Sequence, residues 1–111
     1  MTLSSLVIPV KDVAAATSFY TMAFGADPHT ETPYYVGFNL GGLEIGLNPP
    51  GHASGMVGPT PFYATEDIEA GVAALVAAGG EVVQPPSEVG GGTTIATVVD
   101  ADGNHVGLIH R

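Results

Sequence analysis

The sequence contains no cysteine, which excludes disulfide bonds and thiolate chemistry. It also has few basic residues, since only Lys11 and Arg111 stand against 11 acidic residues, for a formal net charge of −9. A chain this acidic repels phosphate backbones and anionic membrane surfaces, so we expect neither nucleic-acid nor membrane partners. High acidity commonly serves solubility alone, and it also leaves carboxylates free for a cationic ligand.

Long apolar runs are absent as well. No stretch reaches the roughly 18 apolar residues that a membrane span requires. The first residues lack the basic region of a signal peptide, so a cytoplasmic location is expected. With 111 residues and 45% hydrophobic content, the composition is typical of a single globular domain.

The chain carries an internal repeat. When residues 5–25 are laid on residues 60–80, Asp12 meets Asp67, and Gly25 meets Gly80. In each copy a short strand-like run ends at an acid, and a helical pattern then ends at glycine. The two aspartates are predicted to cap helices, because a carboxylate there accepts free backbone N–H groups. We therefore interpret Asp12 and Asp67 as caps and not as catalysts.

The apolar residues of both predicted helices recur at helical spacing on one face. In the first helix they are Val13, Ala16, Tyr20 and Phe24, and in the second Ile68, Val72, Leu75 and Val76. Gly25 and the pair Gly79 and Gly80 supply the left-handed position that ends a helix.

Three strand candidates follow each helix. They span residues 26–31, 34–40 and 43–48 in the first half, and residues 81–89, 93–99 and 105–110 in the second. Gly41 and Gly42 predict one hairpin turn, and residues 100–104 predict its counterpart. The sequence thus predicts one domain of two tandem βαβββ modules, about 1–50 and 58–111, joined by a Gly/Pro-rich connector.

The segment DADGNH, residues 100–105, has the spacing that begins a calcium loop. Its glycine stands at the fourth position instead of the sixth, and the twelfth residue is Arg111 where such a loop needs glutamate. We therefore predict a hairpin turn, in which Asp and Asn bond local backbone and Gly103 takes the unusual dihedral.

With its segments VKDVAAATSFYTMAFGA, LGGLEIGL, EDIEAGVAALVAAGGEVVQPP and DADGNHVGL, the sequence resembles the vicinal-oxygen-chelate superfamily. That superfamily groups glyoxalase I, bleomycin-resistance proteins and extradiol dioxygenases. The resemblance implies an α+β fold in which curved mixed sheets form a cup with the helices outside. It also implies a homodimer, and it leaves open whether modules pair within or between chains.

In the metal-using members of that superfamily, ligands come from the first and last strands of each module. The corresponding positions here are Ser5, Gly46, Thr60 and Gly107. Glycine has no side-chain donor and single hydroxyls are poor replacements for His or carboxylate, so we predict no metal and no other cofactor. The two glycines are expected to open space in the cavity.

Strand alternation predicts the residues that line this cavity. The candidate ligand-binding residues are Ser5, Glu44, Asn48, His52, Thr60, Phe62 and His105. Glu44 and His105 are also candidate acid–base groups, if Glu44 faces inward without a Lys or Arg partner. The competing interpretations are an exposed Glu44 near a hairpin end and a hydrogen-bonded wall histidine.

Other aromatic and histidine residues are less informative. His52 lies on the connector, which is either a lid or a plain link. The four aromatic residues Tyr34, Tyr35, Phe38 and Phe62 suit either a flat ligand or, more commonly, the core. His29 is expected on the surface of an edge strand, and His110 is expected to be structural or frayed.

Three functions remain compatible with these features. The first is metal-independent binding or sequestration of a small neutral or cationic organic molecule. The second is a metal-independent isomerase, epimerase or lyase that uses Glu44 or His105 for proton transfer. The third is a non-catalytic dimeric interaction module. The missing metal ligands favour binding over catalysis.

Overall fold

The computed structural model describes residues 1–111, which fold into two compact α+β units. The N-terminal unit is Ser5–Pro59, and the C-terminal unit is Thr60–Arg111 together with Met1–Ser4. The strands and helices in chain order are β1 (Thr2–Pro9), α1 (Val13–Phe24), β2 (Thr30–Glu31), β3 (Val36–Leu40), β4 (Leu43–Asn48), β5 (Thr60–Ala64), α2 (Ile68–Ala77), β6 (Glu81–Gly90), β7 (Thr93–Val99) and β8 (His105–His110). The predicted α+β class with two βαβββ modules is confirmed.

In the N-terminal unit the strand order is β2-β3-β4-β1. Strand β1 runs parallel to β4 with Ser5 opposite Glu44, and β3 runs antiparallel to β4 with Gly37 opposite Gly46. The core lies between this sheet and α1, and its buried residues include Ile8, Val36, Phe38, Ile45 and Leu47. All four predicted apolar positions of α1 pack against this core.

In the C-terminal unit the strand order is β5-β8-β7-β6, with β5 parallel to β8 and the other pairs antiparallel. Ile68, Ala96 and Leu108 form the buried core, and Tyr63, Val72 and Leu75 pack against it. The prediction for Val76 was wrong, because this residue is 45% exposed.

Both helices begin as the sequence predicts. Asp12 Oδ1 accepts the N–H of Ala15 at 3.1 Å, and Asp67 Oδ1 accepts the N–H of Ala70 at 3.0 Å. These bonds satisfy donors that the first helical turn leaves unpaired. Gly25, with φ of 65°, ends α1, and Gly79, with φ of 108°, follows α2. The interpretation of the two aspartates as caps is confirmed.

Strand β2 is shorter than the predicted 26–31, because it contains only Thr30 and Glu31. Pro28 lacks the N–H that a strand needs for its ladder, which limits extension toward the N-terminus. Strand β3 begins at Val36 instead of residue 34, since Thr32 Oγ1 accepts the N–H groups of Tyr34 and Tyr35 and closes a turn there. Strand β6 extends one residue beyond the prediction, and the other three strands have their predicted bounds.

The Gly/Pro-rich connector forms a compact turn against the ends of β1 and β4. The N–H of Gly51 donates to the carbonyl of Asn48 at 3.1 Å, and the N–H of Met56 donates to the carbonyl of Gly51 at 3.0 Å. A side chain added at Gly51 would collide with Pro9, so only glycine allows this close approach. Neither helix is long and apolar enough to cross a membrane.

The predicted hairpin turn after β7 is confirmed. Asp100 Oδ1 accepts the N–H groups of Asp102 at 2.9 Å and Asn104 at 2.8 Å, while Gly103 has φ of 86°. The Asn104 side chain donates to Asp100 Oδ2 at 3.1 Å. The Asn104 backbone N–H, followed by its side-chain amide, lowers the pKa of the Asp100 carboxyl from its usual value.

Substitution Asn104→Ala should raise the pKa of Asp100 toward the usual value without fully restoring it, because the backbone donors remain. Since the folded pKa is lowered, the contribution to stability is present above the unfolded pKa and is lost as pH falls through the lower folded value. NMR titration of the Asp100 carboxyl measures the shift. Asn39→Ala, which alters the other hairpin, is the control and should leave it unchanged. Identical titration in the wild type and in Asn104→Ala would contradict this account of the turn.

Candidate functional site

Strand β4 presents alternate residues to opposite faces of the N-terminal sheet. Ile45 and Leu47 are buried in the core against α1. Glu44, Gly46 and Asn48 therefore belong to the opposite face, as the alternation of a strand requires. The Glu44 side chain is 28% exposed, so it is neither fully solvated nor sealed from water.

Two side chains bind the Glu44 carboxylate. The Tyr35 hydroxyl donates to Oε2 at 2.5 Å, and His29 Nε2 lies 2.8 Å from Oε1. Because an ionised carboxylate only accepts, His29 Nε2 carries the proton in this arrangement. In the neutral imidazole, Nδ1 then accepts the Thr30 hydroxyl proton over 2.8 Å. Glu44 is thus a partnered group, and neither of its partners is Lys or Arg.

Local backbone geometry positions both partners of Glu44. The Thr32 hydroxyl donates to the Tyr35 carbonyl at 3.0 Å and accepts the Tyr35 N–H at 2.9 Å, which fixes the turn that carries Tyr35. The backbone N–H of His29 donates to the Gly37 carbonyl at 2.9 Å. His29 and Tyr35 therefore approach Glu44 from the two ends of the short β2 segment.

Two facing glycines make room for this cluster. A Cβ at Gly46 would lie 2.7 Å from Tyr35 Cε1, and a Cβ at Gly37 would lie 2.5 Å from Glu44 Oε2 and 2.9 Å from His29 Nε2. The Tyr35 ring therefore lies directly over Gly46. Glycine within a strand often marks such a close approach. We call Tyr35, Glu44, His29, Gly37 and Gly46 the Glu44 cluster.

An aromatic ring also covers the corresponding glycine of the C-terminal unit. Phe62 on β5 is paired with Gly107 on β8. A Cβ at Gly107 would lie too close to Phe62 Cδ2 and would therefore collide with the ring. The expectation that Gly46 and Gly107 open space was therefore wrong. The Tyr35 ring occupies the space beside Gly46, and the Phe62 ring occupies the space beside Gly107. An aromatic surface is therefore present where open volume was expected.

His105, on the same face of β8 as Gly107, is half-buried. Its Nδ1 is buried and has no hydrogen-bond partner within the protein. An unpaired buried polar atom costs about 1–3 kcal/mol, and because this nitrogen has almost no accessible surface, a ligand can reach it only if the His105 ring moves. The interpretation of His105 as a hydrogen-bonded residue of the cavity wall is therefore wrong for Nδ1.

The remaining predicted residues lie in different settings. Ser5 and Thr60 are buried at 7% and 1% exposure, and the Asn48 side-chain amide contacts Met56 Sδ at 3.7 Å. His52 is exposed on the connector turn. His110 Nδ1 lies 2.9 Å from the Thr65 carbonyl oxygen, which supports its structural interpretation.

The four aromatic residues separate into different environments. Phe38 is fully buried in the core, whereas Tyr34 is 80% exposed. Tyr35 and Phe62 are half-buried over the two glycines. The interpretation as core residues therefore holds for Phe38 alone.

The four positions that the resemblance associates with metal ligands do not fit a metal ion. Two are glycines covered by rings, and the other two carry only single hydroxyls. No group of three or more His, Asp or Glu side chains is arranged to hold a metal ion. A divalent metal needs several converging donors of this kind.

The family follows from comparison with known proteins. The chain belongs to the Glyoxalase/Bleomycin resistance protein/Dioxygenase superfamily, whose sequence model matches residues 2–108. The resemblance that its motifs indicate is thereby confirmed. No curated protein matches the chain significantly.

Solved structures share the fold at low sequence identity. The NAD-dependent benzaldehyde dehydrogenase from Legionella pneumophila has a TM-score of 0.77 at 17% identity, with 96% of each chain covered. A superfamily member from Vibrio splendidus 12B01 has a TM-score of 0.72 at 18% identity, covering 99% of this chain and 100% of the other. A Streptomyces coelicolor methylmalonyl-CoA epimerase variant has a TM-score of 0.69 at 17% identity, covering 99% and 96%. These different activities share one fold, so the fold alone does not identify a reaction.

The sequence did not predict His29 as a partner of Glu44 or Gly37 as part of the same cluster. The signal for Gly37 was available, because a glycine inside a strand-like run indicates close approach of another group. Its pairing with Gly46 follows from the two-residue hairpin turn at Gly41 and Gly42. The contact of His29 depends on the irregular segment before β2, which no periodic pattern describes.

Substitution Gly107→Ala should lower the free energy of unfolding by about 1–3 kcal/mol, because the new methyl group displaces the Phe62 ring. Gly58→Ala is the matched control, since its added Cβ would meet no atom within 4 Å. Chemical denaturation measures both. In the Phe62→Ala background the cost of Gly107→Ala should largely disappear. An equal cost with and without the Phe62 ring would show that the ring is not what Gly107 accommodates.

Proposed function

We propose that this protein binds small organic molecules without a metal ion and acts by binding or sequestration. The observation that carries the proposal is the replacement of metal-ligand positions by Gly46 and Gly107, each covered by an aromatic ring. Each unit presents one half-buried ring, Tyr35 in the N-terminal unit and Phe62 in the C-terminal unit, and either ring suits stacking with a flat ligand. In the N-terminal unit the Glu44 carboxylate adds a polar group that can orient a ligand.

Charge supports neutral or cationic ligands over anionic ones. The net charge of −9 repels anions, and only two side chains are Lys or Arg. One of these, Arg111, donates to Ser4 Oγ at 3.0 Å. A coenzyme A thioester carries several phosphate charges, so this chain is poorly matched to the ligand of its epimerase neighbours.

A thermal-shift screen of flat neutral and cationic compounds tests the binding proposal. We expect hits that raise Tm through preferential binding to the folded state, equally with and without a chelator. Metal analysis of protein purified without chelators should find less than one divalent ion per chain. Stabilisation that requires a stoichiometric divalent metal would contradict the proposal. A screen without any hit would favour the non-catalytic interaction module.

A second candidate function is a metal-independent isomerase, epimerase or lyase. It is favoured by one observation, the hydrogen-bonded Glu44 carboxylate with Tyr35 and His29 beside it. A carboxylate held in place by two donors is suited to take a proton from a carbon acid and return it. His105 is the corresponding candidate in the C-terminal unit.

If a screening hit is turned over, Glu44→Gln or His105→Ala should reduce kcat, measured at saturating concentration of the hit, by about 10²-fold or more. Exchange of the hit's acidic C–H in D₂O, followed by NMR, measures proton transfer directly. Glu31→Gln is the matched carboxylate control and should not change the rate. Turnover unaffected by both substitutions would show that these residues do not perform the proton transfer.

A further inference from the structure

We infer that the Glu44 cluster is a binding site for a flat organic monocation, such as an amidinium or aryl-ammonium group. This inference rests on the proposed binding function and adds to it a ligand class and a location. It concerns the N-terminal unit alone, in which all residues of the cluster lie.

Glu44 lacks a permanent counter-ion. Its only ion-pair partner is His29, which contributes positive charge only when protonated. With neutral His29, the imidazole donates a hydrogen bond to Glu44 and leaves the site with a net negative charge. The single Lys or Arg of this unit is Lys11, an exposed residue between β1 and α1.

The Glu44 carboxylate is held in place and can still accept further hydrogen bonds. A carboxylate offers about four acceptor positions, and the Tyr35 and His29 bonds use one on each oxygen. The Glu44 side chain keeps 28% of its surface exposed, so a ligand can reach it. Preorganisation by two donors reduces the entropy that binding would otherwise cost.

An aromatic ring lies beside the Glu44 carboxylate. Tyr35 is fixed over Gly46 and bonded to Glu44 through its own hydroxyl, so ring and negative charge lie within one small ligand's reach. A cation is attracted both by the carboxylate and by the face of an aromatic ring. The flat body of an aryl cation adds stacking with the same ring.

The test is calorimetric binding of benzamidinium and of benzamide, its neutral analogue, at pH 8 and moderate salt. We expect benzamidinium to bind at least about tenfold more tightly, since only the cation gains from Glu44. Glu44→Gln should remove most of this preference, and Tyr35→Leu should weaken benzamidinium binding by about fivefold. Thermal unfolding checks that each variant is folded. If Glu44→Gln does not fold, Tyr35→Leu still tests the site independently.

Glu31→Gln is the matched control. Glu31 pairs with the buried Val36, so its side chain lies on the face of the sheet opposite to Glu44. Removal of the Glu31 charge should therefore leave benzamidinium binding unchanged. Equal affinity for benzamidinium and benzamide, or equal losses in Glu44→Gln and Glu31→Gln, would overturn the inference. If neutral compounds bind and benzamidinium does not, the cation site fails while the binding function stands. If no compound binds, both fail.

Discussion

The Glu44 cluster depends on one steric constraint, the absence of side chains at Gly37 and Gly46. These residues face each other across β3 and β4, and they leave a space that the Tyr35 ring and the Glu44 and His29 side chains occupy. A methyl group at either glycine would collide with that cluster. The polar chemistry of the N-terminal unit therefore follows from backbone pairing, which brings two glycines together on one face of the sheet.

The C-terminal unit also has an aromatic ring over a strand glycine, but the polar groups beside it differ. Phe62 covers Gly107 as Tyr35 covers Gly46, but Phe62 has no hydroxyl to bind a carboxylate. The polar group on this strand is His105, whose Nδ1 has no partner within the protein. The two rings come from different places in their modules, since Phe62 lies on the first strand and aligns with Val7, whereas Tyr35 lies in the turn before β3.

Periodicity and capping rules predicted most of the fold. Asp12, Asp67, the Gly41 and Gly42 turn and the Asp100 turn depend on interactions between neighbouring residues, which a sequence pattern records directly. The Glu44 cluster was predicted only in part, through Glu44 and Gly46, because His29 and Tyr35 reach it from irregular backbone. The same limit explains why no ring was expected over Gly46. The Phe62 ring over Gly107 depends instead on the long-range pairing of β5 with β8, which a local sequence pattern does not record. The homodimer and the cytoplasmic location remain predictions.

We propose that an aromatic ring over each glycine gives this chain a surface for an organic ligand at positions where metal-using members place metal ligands. A titration of the protein's backbone amide NMR signals with a screening hit tests it most directly, in metal-free buffer. The account predicts that the largest shifts fall on Tyr35, Glu44 and Gly46, or on Phe62, His105 and Gly107. Shifts confined to residues outside both groups, or shifts that appear only after a divalent metal is added, would contradict it.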